Sequence, residues 1–113
     1  MIGAFVPDAG DVIWLDFDPR KGREQAGRRP ALVLSPKSYN RAASLALVCP
    51  ITSRKKGYPF EVALPEGTGV RGVILADQMK SVDWRARRAD GFVRMPDAVI
   101  NEVRARLASV IGL

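Results

Sequence analysis

Histidine is absent from this chain of 113 residues. No imidazole pair can therefore move protons, and no histidine-bearing metal site can form. Cysteine is reduced to Cys49, which excludes thiolate zinc sites and any internal disulfide and fits a reducing, cytoplasmic setting. With Leu47, Val48, Pro50 and Ile51 around it, Cys49 reads as a buried structural thiol rather than a nucleophile. No apolar run approaches the length of a membrane span, and the first residues lack a basic-then-apolar signal. A phosphate-cradling glycine loop, a serine elbow and a dinucleotide fingerprint are all missing. Carboxylates that could converge on a divalent cation are scarce. Asp16-Phe17-Asp18 is the nearest candidate, and such acidic pairs on strands are usually solvated. No metal or cofactor is expected.

What the chain has in excess is positive charge. The net charge is +6 and the pI is near 10.1. Residues 1–18 hold Asp8, Asp11, Asp16 and Asp18 and no Lys or Arg, so 18 cations face only the 8 remaining acids in the rest of the chain. The cations cluster at 20–29, at Arg54-Lys55-Lys56 and from Lys80 to Arg88. Three basic clusters on one small domain suggest nucleic acid or an acidic polypeptide as partner.

Apolar residues make up 47% of the chain, enough for one folded domain over 1–113. Strand signals are short and frequent, at 11–17, 31–35, 45–52, 59–64, 72–76 and 91–95, each bounded by Gly, Pro or Asp. Residues 36–43 could form one or two helical turns. The one long helix is expected at 96–111, where Val99, Val103, Leu107 and Val110 recur at helical spacing with Ile100 and Ile111 beside them. Pro96 suits its first turn, Asp97 complements its dipole and Gly112 its end. This pattern predicts a mainly β fold with a C-terminal helix, built as a small, strongly bent barrel.

The loop Lys21-Gly22-Arg23-Glu24-Gln25-Ala26-Gly27-Arg28-Arg29-Pro30 feeds directly into the apolar run Ala31-Leu32-Val33-Leu34. A cationic loop fixed to a strand can grip a polyanion, although a solvated surface loop has the same composition. Arg29 precedes a proline and is pushed into an extended conformation, so it should sit at a strand mouth with its side chain aimed by the sheet. Thr52 lies where the run Leu45 to Ile51 gives way to Ser53 and then Arg54-Lys55-Lys56. It is either an ordinary strand-end threonine or a hydroxyl placed on a basic surface. Without imidazole, an RNA-cleaving enzyme could still use the 2′-hydroxyl of its substrate as nucleophile. It would need cations to stabilise the phosphorane and a donor to its oxygens.

The order of several short motifs resembles the MazF family of toxin–antitoxin endoribonucleases, related to the PemK/Kid toxins. The matching pieces are Val6-Pro7-Asp8 with Gly10-Asp11, Ile13-Trp14-Leu15-Asp16-Phe17-Asp18-Pro19 and Lys21-Gly22-x-Glu24-Gln25-Ala26-Gly27-x-Arg29-Pro30-Ala31. Val33-Leu34-Ser35-Pro36, Tyr39-Asn40, Pro50-x-Thr52, Lys56 to Val62, Leu75-Ala76-Asp77-Gln78, Lys80-Ser81 and Trp84 to Arg87 follow in order. The likeness covers residues 6–88; the helix at 96–111 matches only in kind.

That resemblance implies an SH3-like barrel, a homodimer and metal-independent cleavage of single-stranded RNA. The products would be a 2′,3′-cyclic phosphate and a 5′-hydroxyl. An acidic, MazE-like antitoxin would bind the toxin in a hetero-oligomer, and no membrane is involved. The family's catalytic pair falls on Arg29 and Thr52. Glu24 is a candidate for deprotonating the 2′-hydroxyl, with base recognition an equal alternative, because a guanidinium stays protonated in proteins. Lys21, Gln25, Arg28, Lys56, Lys80, Arg85 and Arg87 are candidates for holding RNA, and Asp77 and Gln78, at the end of a strand, for reading base edges. Phe17 could stack on a base or serve the core. Trp14 is expected in the core, and Trp84 could go either way. Many relatives carry histidine where this chain has Arg28. A CcdB-like topoisomerase poison and a non-catalytic nucleic-acid-binding barrel are the alternatives. The end Val110-Ile111-Gly112-Leu113 lacks the tryptophan of the CcdB signature.

Overall fold

The computed structural model describes residues 5–17 and 27–113. The elements run β1 (Asp11–Phe17), β2 (Gly27–Val33), α1 (Lys37–Ala43), β3 (Ala46–Thr52), β4 (Glu61–Ala63), β5 (Val73–Leu75), a 3-10 turn (Ala76–Gln78), β6 (Lys80–Val82), β7 (Asp90–Arg94) and α2 (Asp97–Val110). Hydrogen bonds order the sheet β4-β5-β3-β2-β1-β7, with β6 attached to β3. Every pairing is antiparallel.

Strand alternation explains the two-sided core. On β1, β2 and β3, Val12, Leu32, Cys49 and Ile51 point to one face and meet Val99 and Val103 of α2. The intervening Ile13, Leu15, Ala31, Val33, Ala46 and Val48 point to the other face and meet Val82 and Trp84. A sheet covered on both faces needs apolar residues at consecutive positions, as these strands have.

Two prolines lie within strands, where each would remove a ladder hydrogen bond. Pro50 pairs with Ala31 of β2, and on its other side β3 is passing from β6, last paired at Val48, to β5, first paired at Ile51. Its missing donor falls in that gap. Pro30 faces Trp14 of β1, one residue before the β2–β3 ladder begins at Ala31. Both are tolerated because one side of the strand is unpaired there.

The barrel is open: among the described residues no pairing joins the end strands β4 and β7. Val62 of β4 and Val93 of β7 instead both pack in the core that α2 covers. Pro96 precedes α2 with φ −61°, Asp97 lies in its first turn, and Gly112 follows at φ +82°. Val110 and Ile111 depart from expectation. They are 44% and 60% exposed, because the core contacts of the helix end at Leu107. Trp14 is half-buried and belongs to neither core cluster, whereas Trp84 is buried and its Nε1 donates to the Asn40 carbonyl at 3.0 Å. No described helix is long and apolar enough to cross a membrane.

Candidate active site at one edge of the sheet

The antiparallel pairings bring five strand ends to one edge. β1 ends there at Phe17, β2 begins at Gly27, β3 ends at Thr52, β5 begins at Val73 and β6 begins at Lys80. Alternation then selects the face. Phe17 follows Ile13 and Leu15, and Arg29 precedes Ala31 and Val33, so both side chains are on the Trp84 side of the sheet. Thr52 alternates with Ile51 onto that same side, and Lys80 stands opposite Val48, whose side chain is there too. Ala31 pairs with Pro50, so extending the ladder two residues sets Arg29 against Thr52. At that point β3 has turned to pair with β5, Thr52 facing Val73. Sequence-distant Arg29 and Thr52 thus share one edge and one face.

Around them the surface is cationic and partly aromatic. Phe17 is half-buried against the core, with the Lys80 ammonium 5.6 Å and the Arg87 guanidinium 6.0 Å from its ring centre. Arg87 is held in place because its carbonyl accepts from the Asp16 N–H at 2.9 Å while its Nη1 donates to the Asp16 carbonyl at 3.1 Å. The Thr52 hydroxyl oxygen accepts from the Arg54 N–H at 3.1 Å, which leaves its proton for another acceptor. Beyond Thr52, the exposed loop Arg54-Lys55-Lys56 is anchored by Glu61. Its carboxylate accepts from the Lys56 N–H at 3.0 Å and the Gly57 N–H at 2.9 Å. The Lys56 ammonium lies 5.9 Å from the centre of the Tyr58 ring.

Asp77 and Gln78 are exposed close to the same edge, since Lys80 begins β6 two residues later. They occupy the 3-10 turn rather than a strand end. β5 stops at Leu75, and the Ala76 N–H donates to the Phe60 carbonyl as the chain turns toward β6.

Two expected RNA contacts are not brought to this place. Arg28 is the cross-strand partner of Asp16 on the opposite face from Arg29. Its Nη1 donates to Asp16 at 2.8 Å and its Nη2 to the Arg88 carbonyl at 2.6 Å. Arg85 stacks on Trp84 at 4.3 Å and donates to the Ser44 hydroxyl at 2.9 Å. Ser44 lies just before β3 begins, at the other edge of the sheet from Thr52. Lys21, Glu24 and Gln25 lie outside the described residues, in the segment joining Phe17 to Gly27.

Asp16, the one described member of the acidic pair, is engaged by two guanidiniums. Hydrogen bonds from Arg88 at 2.5 Å and from Arg28 hold its carboxyl below the usual Asp range, and the same contact raises Arg88. Burial pushes the Cys49 thiol up to about 12, assisted by the negative charge of Asp77. Cys49 is therefore a neutral packing group. Arg88 and Glu61 are the site-supporting residues that the sequence did not single out, for different reasons. Arg88 meets an acid 72 residues away. Glu61 follows a basic, glycine-containing turn, a local signal that was available.

Residues 8–111 match the family model described as PemK-like, MazF-like toxin of type II toxin-antitoxin system. The chain is 49% identical over 112 residues to the endoribonuclease toxin MazF of Escherichia coli K12, covering 99% of this chain and 100% of that one. It is 36% identical over 111 residues to the endoribonuclease PemK of Escherichia coli, covering 92% and 81%. A crystal structure of MazE-MazF from Deinococcus radiodurans superposes with TM-score 0.90 at 56% identity, over 96% of this chain and 98% of that one.

Proposed function

Since the chain belongs to the PemK-like, MazF-like toxins of type II toxin–antitoxin systems, we propose that it is a cytoplasmic, sequence-specific endoribonuclease acting on single-stranded RNA. Arg29 and Thr52 are its catalytic pair. The observation that carries this reading is their arrival at one edge and one face from β2 and β3, beside Phe17, Lys80 and Arg87.

The reaction needs no outside nucleophile. The 2′-oxygen forms a bond to the adjacent phosphorus as the bond to the 5′-oxygen breaks, and the departing 5′-oxygen takes a proton from solvent water, leaving a 2′,3′-cyclic phosphate and a 5′-hydroxyl. The Arg29 fork holds two non-bridging oxygens of the crowded phosphorane, and the Thr52 hydroxyl donates to the same group. Arg29 cannot take the 2′-proton, because a guanidinium stays protonated. Glu24 is the candidate acceptor. Phe17 offers a ring to a base while Lys80, Arg87 and Lys56 hold neighbouring phosphates, and Asp77 and Gln78 meet base edges. The same cationic edge suits an acidic, MazE-like antitoxin that folds as it covers the RNA site, within a hetero-oligomer built on a toxin homodimer.

The test is cleavage of mixed-sequence RNA in EDTA by the wild type beside Arg29→Ala and Thr52→Ala, with the product ends mapped. The wild type should cut without added metal, and each variant should lose roughly a hundredfold or more, about 3 kcal/mol. Cleavage that requires magnesium, or variants as active as the wild type, overturns the proposal.

A further inference from the structure

The residues between β4 and β5 form a glycine-rich loop around a cavity of about 590 Å³, lined by Leu64 and Pro65 at one end and Arg71 and Gly72 at the other. Gly72 closes this loop and leads into β5. Its φ is +112°, a conformation that a residue with a side chain rarely adopts. A Cβ at this position would stand 2.0 Å from the Thr52 carbonyl oxygen, 2.8 Å from its carbonyl carbon and 2.9 Å from the Ser53 Cα. All three are backbone atoms, so no rotamer change can make room. The Gly72 carbonyl meanwhile accepts from the Leu64 N–H at 3.2 Å, and the following residue, Val73, is the ladder partner of both Thr52 and Ala63. Gly72 is therefore pressed between β4 behind it and the end of β3 in front.

We infer that Gly72 is a positioning residue for Thr52. Its bare backbone lets β5 close on the last residue of β3 and so fixes the Cα from which the Thr52 hydroxyl projects. This role rests on the ribonuclease proposal above. A methyl group at position 72 would part β3 from β5 at Thr52, and a displacement of about 1 Å can cost on the order of a hundredfold in rate.

Gly10 provides the control. Its φ is +97° and a Cβ there would lie 2.6 Å from the Ile100 Cδ1, but it precedes β1 at the opposite edge of the sheet. Gly72→Ala, Gly10→Ala and the wild type should be compared for thermal midpoint, and for kcat and KM on single-stranded RNA below every midpoint. Both variants should melt lower than the wild type. Gly72→Ala alone should lose kcat, by about tenfold or more, with KM within about twofold. Introduced into Thr52→Ala, it should cost nothing further, since the group it positions is already gone.

If Gly72→Ala melts below the assay temperature, Val73→Ala serves instead. It loosens the same ladder position without forcing a positive φ, and should lose about threefold in kcat only when Thr52 is present. A wild-type kcat in the folded position-72 variant or its substitute overturns the inference, as does a loss that persists undiminished in Thr52→Ala. Wild-type protein that leaves RNA whole overturns the ribonuclease proposal instead.

Discussion

Asp16 shows how one carboxylate can hold together groups far apart in the chain. It accepts from Arg28 on the neighbouring strand and from Arg88 in the turn before β7, and its backbone fixes Arg87 beside Phe17. Its pKa is lowered from the ordinary value of 3.8, chiefly by Arg88 and then by Arg28. A carboxyl whose folded pKa is depressed stabilises the protein above the unfolded value and loses that contribution as pH falls through the folded one. Asp16→Asn should therefore melt lower than the wild type at pH 7, and the gap should narrow below pH 3.8. A gap that is constant from neutral to acid pH would show that the ion pairs contribute nothing. The same residue limits what sequence can reveal. Asp16-Phe17-Asp18 reads as a weak metal candidate because neither guanidinium is near it in the chain. Cys49 was legible, since its apolar neighbours specify the burial that suppresses the thiolate.

At the scale of elements, β1 was legible to the residue and β3 nearly so, because each carries a long apolar run. For β2 the expected span of 31–35 starts four residues late and runs two too far, as Leu34-Ser35 continue the apolar run and Gly27 to Pro30 look like loop. They are strand because Phe17 to Trp14 supply a partner that composition cannot announce. β6 was missed for a similar reason: Lys80-Ser81-Val82 is too short and polar to signal itself, and it exists by pairing with Ala46 to Val48. The edge of the sheet was invisible for the same cause, since it depends on which strand ends meet. Glu61, opening β4, governs the basic loop between β3 and β4 through two consecutive backbone N–H groups. Replacing it with glutamine weakens charge-assisted hydrogen bonds worth on the order of 1–2 kcal/mol. Glu61→Gln should raise KM for RNA about three- to tenfold while leaving kcat within about twofold. A change confined to kcat would place Glu61 in the chemistry rather than in the loop.

Across the whole molecule, a net charge of +6 is concentrated away from the acidic N-terminal segment, and the proposed site has four candidate phosphate contacts, Arg29, Lys56, Lys80 and Arg87. Displacing counterions from single-stranded nucleic acid contributes a slope of about −0.7 per contact. Binding of a cleavage-resistant RNA should weaken with salt at a log–log slope of about −3 per site, and Lys80→Ala should reduce that slope by about 0.7. Affinity indifferent to salt would remove the phosphates from the interface. The strand that carries Thr52 is bonded on its two sides to β2, β5 and β6, so it is held against fraying from both directions. Stiffness of that kind has a consequence for control: the hydroxyl proposed as catalytic stands at the end of a strand held from both sides, so melting its support is not the route by which it is switched off. On the proposed reading, silencing such a site takes a partner laid across its mouth.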